Sequence, residues 1–264
     1  MSYHVVAIIQ ARMSSSRLPD KVLLDIAGQP MLAHVVARTS RATNIDQVLV
    51  ATTTDASDDP IAAWCDSKGI GYTRGSQNDV LDRYYQAASH AKADLVVRIT
   101  ADCPVIDPVL IGDCLNTLLD GSYDFTCNRL PPPWGRTYPI GLDTEVCTFS
   151  ALKKAWEDST ESLHREHVMP YLYEGVMLKP KEKNLTAGVS QRGFNIAQLQ
   201  HTPSYGHMRW TVDSPEDLEF MRLLFDHFNG RDDFTFQELL DLVQNEPNLA
   251  AINSTVRHKT LYDK

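Results

Sequence analysis

The chain has 264 residues, 43% of them hydrophobic and 22% charged, with a net charge of −9. That length and balance suit a globular protein able to bury a sizeable core, and a pI near 5.4 speaks against general affinity for nucleic acid or membrane surfaces. The start MSYHVVAII lacks a basic segment, no stretch approaches about 18 apolar residues, and the five cysteines include no CxxC pair. These features predict a cytoplasmic protein with reduced thiols, no signal peptide and no membrane span.

Residues 5–9 read as a strand and lead into a polar loop carrying Arg12, Ser14, Ser15, Ser16, Arg17 and Lys21. Residues 1–41 hold five Arg/Lys against two acids in an acidic chain. Local positive charge, hydroxyls and backbone donors after a strand suit a polyphosphate, although a solvated basic loop has the same composition. Neither a Walker P-loop nor Gly-x-Gly-x-x-Gly is present. A helical pattern at 30–43 follows, then strands at 47–52, 71–73 and 95–100 alternating with helices at 58–69, 78–92 and 107–119. Such alternation predicts an α/β fold, a mostly parallel sheet covered by helices on both faces. Arg12, Thr53, Arg74 and Asp102 each follow a predicted strand and could face one crevice at the carboxyl edge.

Residues 128–140 (NRLPPPWGRTYPI) read as a long loop or lid. A strand pattern returns at 141–149, with helices at 150–158 and 163–174, a strand or hairpin at 185–196 and a last strand at 209–212. Ser214, Pro215, Glu216 and Asp217 cap a helix reaching about residue 228. An amphipathic helix is predicted over 234–250. His164 and His167 stand i,i+3 on a helix. With no further His or Cys close by and no HExxH, a structural or acceptor-contacting role is favoured over zinc.

The element Gln10-Ala11-Arg12-Met13, Ser14 to Ser16, Arg17-Leu18-Pro19 and Lys21 resembles the signature of the cytidylyltransferases that activate acidic sugars. These are the CMP-Kdo and CMP-sialate synthetases, and the similarity is greatest to the spore coat polysaccharide biosynthesis protein F group. Ala101-Asp102-Cys103-Pro104 is similar to that family's magnesium-holding element, and Val212-Asp213-Ser214-Pro215-Glu216-Asp217-Leu218 to its second acidic element. Arg74-Gly75-Ser76 with Asp79, Asp82 and Arg83 resembles its nucleotide element, and Arg136 to Val146 a further shared run.

The resemblance implies a nucleotide-diphospho-sugar transferase-like, Rossmann-like fold in a single nucleotidyltransferase domain, 1–264. Within it, 128–200 would be an acceptor-binding lid and dimerisation subregion. It implies transfer of CMP from CTP to a small acidic acceptor with release of pyrophosphate, in surface polysaccharide biosynthesis, by a homodimer. Arg12, Lys21, Asp102 and Asp213 would be catalytic, with Mg2+ on Asp102 and Asp213. Ala11, Arg12, Ser15, Arg17, Lys21, Arg74, Ser76, Asp79, Arg83 and Arg98 would bind the nucleotide. Arg136, Tyr138, Asp143, Glu145, His167 and Arg209 would meet the acceptor. Asp79 and Arg83 could equally form a solvated i,i+4 pair. A nucleotide-sugar-dependent glycosyltransferase and a non-catalytic nucleotide-binding member of the fold remain alternatives, the first weakened by the lack of Asp-x-Asp.

Overall fold

In the computed structural model, which describes residues 3–258, the run VVAIIQ forms strand β1 (Val5–Gln10) inside a nine-stranded sheet. Its side chains alternate between two cores. Val5, Ala7 and Ile9 enter a cluster on one face, Val6 and Ile8 a second cluster on the other, and all five are at most 3% exposed. A strand covered on both faces needs apolar residues at every position, hence the lack of polar alternation. Full burial of a Val or Ile side chain contributes roughly 1.5–3 kcal/mol, so the loop after β1 hangs from a firmly held element.

A 3-10 turn at Lys21–Leu23 and a short hairpin, β2 (Asp25–Ile26) and β3 (Gln29–Pro30), precede the predicted alternation. That alternation comprises α1 (Met31–Ser40), β4 (Gln47–Thr53), α2 (Asp59–Lys68), β5 (Tyr72–Gly75), α3 (Val80–His90) and β6 (Leu95–Thr100). β1 lies between β4 and β6 and is parallel to both, while β5 extends the parallel set beyond β4. The chain therefore moves outward from β1 through β4 to β5, then returns to the other side of β1. This reversal opens a crevice at the carboxyl ends of β1 and β6, where Arg12 and Asp102 emerge.

The second half holds α4 (Pro108–Gly121), β7 (Phe125–Cys127), β8 (Glu145–Thr148), α5 (Phe149–Asp158), α6 (Ser162–His167) and α7 (Pro170–Tyr173). After these come β9 (Lys179–Glu182), β10 (Leu185–Val189), β11 (Asn195–Leu199), α8 (Pro215–His227), α9 (Phe236–Asn245) and α10 (Pro247–Ala251). Strand order is β5-β4-β1-β6-β8-β7-β11-β10-β9. β8 runs antiparallel to β6 and β7, β11 is parallel to β7, and β9–β10–β11 is an antiparallel meander. The α/β class with helices on both faces is thus observed, with antiparallel pairing concentrated in the second half.

Several predicted elements differ. Residues 209–212 form no sheet strand; the segment makes one parallel bridge, Arg209 to Ile140, because it is threaded between two loops. The single helix predicted over 234–250 is two, interrupted at Glu246 before Pro247, since proline cannot continue the amide ladder. The helix predicted over 163–174 likewise divides into α6 and α7 around Val168 (φ 71°) and Pro170. β7 and β9 are three and four residues long, too short for a period-two signal.

Candidate active site

The loop after β1 is held from the neighbouring strand. The Ala11 N–H donates to the Ala51 carbonyl at 3.1 Å, and the Met13 N–H donates to Asp58 Oδ1 at 2.7 Å. Asp58 is 2% exposed, and its other oxygen accepts from the Thr53 hydroxyl. A buried carboxylate bonded to both partners fixes the loop's origin. Asp20 closes the loop in the left-handed region (φ 59°), its N–H donating to the Met13 carbonyl at 3.1 Å. The 3-10 turn then directs Lys21 back into the crevice.

Lys21 Nζ donates to Asp102 Oδ2 at 2.8 Å, to Asp213 Oδ1 at 2.8 Å and to the Val212 carbonyl at 2.9 Å. Both carboxylate oxygens lie 2.8 Å from one nitrogen, so they are no more than twice that distance apart. Burial alone would push the Lys21 ammonium down, but Asp102 and then Asp213 outweigh it and hold its pKa above the ordinary value. Burial raises Asp213, yet Lys21, Arg17 and Arg209 lower it to about 2; Arg17 Nη2 and Arg209 Nη2 each lie 3.0 Å from its Oδ2.

Backbone lashing brings these two aspartates together. The Val212 N–H and the Thr211 hydroxyl both donate to the Asp102 carbonyl, at 2.9 and 3.0 Å. On the other side of this segment the Trp210 N–H donates to the Ile140 carbonyl at 2.7 Å. Gly141 (φ +104°) allows the approach, since a Cβ there would stand 2.5 Å from the Trp210 carbonyl carbon. Asp217 supports Asp213 from α8: it is fully buried, accepts from the Asp213 and Ser214 N–H groups, and binds the Arg209 fork through both oxygens at 2.8 Å. The sequence placed Asp217 only in the cap of this helix; it is also the positioning residue for the Asp213 turn.

A cavity of about 730 Å³ opens over this constellation, lined among others by Arg12, Ser15, Arg17, Lys21, Asp102 and Asp213. Arg12 has no ion-pair partner among the described residues. A second cavity of about 350 Å³ shares Gln10 and Arg12 with the first and adds Ala11, Gln77, Asn78, Val80, Arg83, Arg98, Glu166 and His167. Burial pushes the Arg83 guanidinium below its ordinary pKa, and nearby Arg12 adds to the effect. Arg83 Nε and Arg98 Nε are buried without hydrogen-bond partners, so two donors beside this cavity are unsatisfied. Burial also lowers His167, leaving a neutral imidazole at neutral pH.

Other predicted site residues are engaged elsewhere. Arg74 donates to the Thr53 and Asp55 carbonyls at 2.7 and 2.9 Å and pairs with Asp59, tying β5 to the end of β4. Ser76 Oγ accepts from the Asn78 and Asp79 N–H groups. Asp79 caps α3 and pairs with Arg165, not with Arg83, whose Nη1 donates to the Ser76 carbonyl at 2.8 Å. Arg136 makes a two-pronged pair with Asp143 at 2.6 and 3.1 Å, and Arg129 joins it at 3.0 Å. Arg209 is 7% exposed and its fork is taken by Asp213 and Asp217. Glu145 pairs with Arg98, whose Nη2 reaches Gln10 at 3.0 Å. Tyr138 packs against His201 and Phe236 in a separate groove. Gln77 and Asn78, which line the second cavity, were not foreseen; their one signal is polar amides just before a helix start.

Two carboxylates and a cationic loop at the reversal point of an α/β sheet suit the transfer of a nucleotidyl group, and the wider comparison agrees. Residues 6–240 match the family described as cytidylyltransferase, and the chain belongs to that family of nucleotidyltransferases. It is 28% identical over 251 residues to the spore coat polysaccharide biosynthesis protein SpsF of Bacillus subtilis, covering 93% of this chain and 96% of that one. It is 41% identical over 243 residues to a 3-deoxy-manno-octulosonate cytidylyltransferase of Anaeromyxobacter dehalogenans, covering 84% and 97%. A solved cytidylyltransferase of Leptospira borgpetersenii matches with a TM-score of 0.82 at 28% identity, covering 97% of this chain and all of that one. Among the described residues no helix is long and apolar enough to cross a membrane, and all five cysteines are free and buried.

Proposed function

We propose that this chain transfers CMP from CTP to a small acidic acceptor, a sugar acid or similar, with release of pyrophosphate, in surface polysaccharide biosynthesis. The observation that carries the reading is the Lys21 ammonium caged by oxygens of Asp102, Asp213 and Val212 beside the larger cavity. Three oxygen donors converging on one cation are the donor chemistry that magnesium takes. Asp102 and Asp213 would hold Mg2+, freeing Lys21 to turn toward the phosphates. When bound, the ion would neutralise charge on the α-phosphate.

The chain's own residues supply position and charge. Arg12, Arg17 and Lys21 receive the β- and γ-phosphates through charge-assisted hydrogen bonds, and Ser15 adds a hydroxyl. The cytidine extends into the second cavity, where the Gln77 and Asn78 amides can meet a base edge and Ala11 and Val80 give it an apolar face. An acceptor hydroxyl attacks the α-phosphorus and loses its proton to solvent; the bond to the bridging oxygen breaks, and its electrons leave with pyrophosphate, whose developing charge the three cations stabilise. No protein nucleophile is needed.

The acidic acceptor is supported by the octulosonate named for the Anaeromyxobacter relative. Arg136 and Arg209 lend it less, their guanidiniums being engaged by aspartates. The proposal includes a homodimer, with 128–200 as acceptor lid and dimer contact within one domain. An open sheet edge at β9 and the exposed side chains of Met177 and Val189 support that contact. A pyrophosphate-release assay with CTP and magnesium, run against sugar acids, sugar phosphates and neutral sugars, tests the reading. Release confined to sugar acids is expected; release with neutral sugars alone overturns the acidic acceptor.

A further inference from the structure

The two histidines of α6 part company. His167 lines the second cavity, whereas His164 does not line it and is 1% exposed. Its Nε2 is buried without a hydrogen-bond partner and faces two carboxylates, Glu174 Oε2 at 3.5 Å and Glu161 Oε2 at 3.9 Å. One donor atom from each of the three residues lies within 4.8 Å of the other two. An unsatisfied imidazole nitrogen beside two carboxylate oxygens is a donor set that suits a cation, and the Arg192 guanidinium already pairs with the Glu174 oxygen at 2.6 Å.

From this geometry we propose a second metal site, formed by Glu161, His164 and Glu174, that takes a borderline divalent transition ion such as Zn2+. The donor types exclude magnesium as the preferred occupant, since it takes all-oxygen shells, whereas zinc accepts imidazole and carboxylate together. Tetrahedral zinc with bonds of roughly 2.0–2.2 Å places its donors roughly 3.3 Å apart. The contact to Glu174 already fits, and Glu161, whose side chain is 63% exposed, closes the remainder by rotation. Gln191 and Arg192 donate to the same Glu174 oxygen at 3.1 and 2.6 Å, so the ion binds by displacing the Arg192 guanidinium or by turning the carboxylate to offer its other oxygen.

The consequence for the enzyme is positional. Glu161 precedes α6 and Glu174 follows α7, so an ion joining them through His164 clamps the corner between these helices. The same helix presents Glu166 and His167 to the second cavity. None of the three ligands lines either cavity, so the site is separate from the Asp102–Asp213 pair.

Titration of the full chain with Co2+, followed by visible absorption, and with Zn2+, followed by thermal shift, tests the site. One equivalent of Co2+ per chain should develop ligand-field bands, and Zn2+ should raise the melting temperature where Mg2+ does not. Glu161→Gln, a change at an exposed side chain that leaves the fold intact, should weaken binding by roughly tenfold or more, the scale of lost contacts at metal sites; Glu174→Gln should do the same. Asp102→Asn should leave the bands unchanged. Bands that survive Glu161→Gln but vanish in Asp102→Asn, or no stoichiometric Co2+ binding by the wild-type chain, overturn the proposal.

Discussion

The crevice after β1 and β6 and the region from Arg129 to Asp143 are built from the same ingredients, arginines facing aspartates, yet they end in different states. In the second region Arg129 and Arg136 close on Asp143, whose carboxyl is held well below its ordinary range once these arginines outweigh burial. In the crevice, Asp213 is matched by Lys21, Arg17 and Arg209, and Arg12 stands beside them with no ion-pair partner among the described residues. Closed pairs stabilise a loop; an excess of cations beside a cavity attracts an anion. An arginine's identity therefore says little about its role until its partner is known.

The largest expected effect breaks the closed side of the crevice. Asp217→Ala removes two bonds from the buried Arg209 fork and the acceptor for the Asp213 and Ser214 amides. Breaking a buried pair costs about 3–5 kcal/mol; because Asp213 still holds Arg209, the lower end, about 3 kcal/mol, is expected in denaturant titration. A change below about 0.5 kcal/mol, the scale of surface substitutions, would show that Asp217 does not organise this turn.

Next is Asp102→Asn, which removes charge at a side chain that is 26% exposed with Lys21 as its one ion-pair partner among the described residues. Fold and melting temperature should change little, while turnover falls about 10²–10³-fold, the scale of a lost charge stabiliser. Near-normal turnover would exclude Asp102 as a metal-holding carboxylate.

Arg12→Ala sharpens the contrast between free and paired cations. No carboxylate is left unpaired, so stability should hold, and CTP binding should weaken by about 2 kcal/mol, the scale of hydrogen bonds to charged groups. CMP, lacking the β- and γ-phosphates, should lose far less in calorimetric titration. Arg136→Ala, by contrast, should destabilise the 129–143 loop without altering that ratio. Equal loss for CTP and CMP in Arg12→Ala would assign Arg12 to the nucleoside.

What the sequence disclosed follows from how local each feature is. Arg12 and Asp102 were legible because each directly follows an apolar run, and strand ends in parallel sheets gather on one edge. Ser214 and Pro215 announced α8 through local capping chemistry. Asp58 and Asp217 were not legible as positioning groups, because a buried acid looks like a surface acid until its amide and guanidinium partners arrive from distant segments. The same blindness made Arg136 and Arg209 look available: Asp143 is seven residues from the one and Asp217 eight from the other, spacings that signal a pair only once the turns between them are known.

Ser76 gives the smallest and most discriminating effect. Family resemblance put it at the nucleotide, whereas its hydroxyl accepts from the Asn78 and Asp79 N–H groups at 3.3 and 3.1 Å and does not line either cavity of the crevice. Ser76→Ala removes one turn acceptor at an exposed position, where water can replace it, so the loss should stay near 1 kcal/mol or below. Because Gln77 and Asn78 sit on that turn and line the second cavity, loosening it acts on the nucleotide only indirectly. Affinity for CMP should then drop by at most a few-fold, about 0.5 kcal/mol, and recover in Ser76→Asp, whose side chain can accept the same two bonds. A direct hydroxyl-to-nucleotide bond predicts the opposite for Ser76→Asp, since a carboxylate facing the phosphates would repel them and lower affinity further.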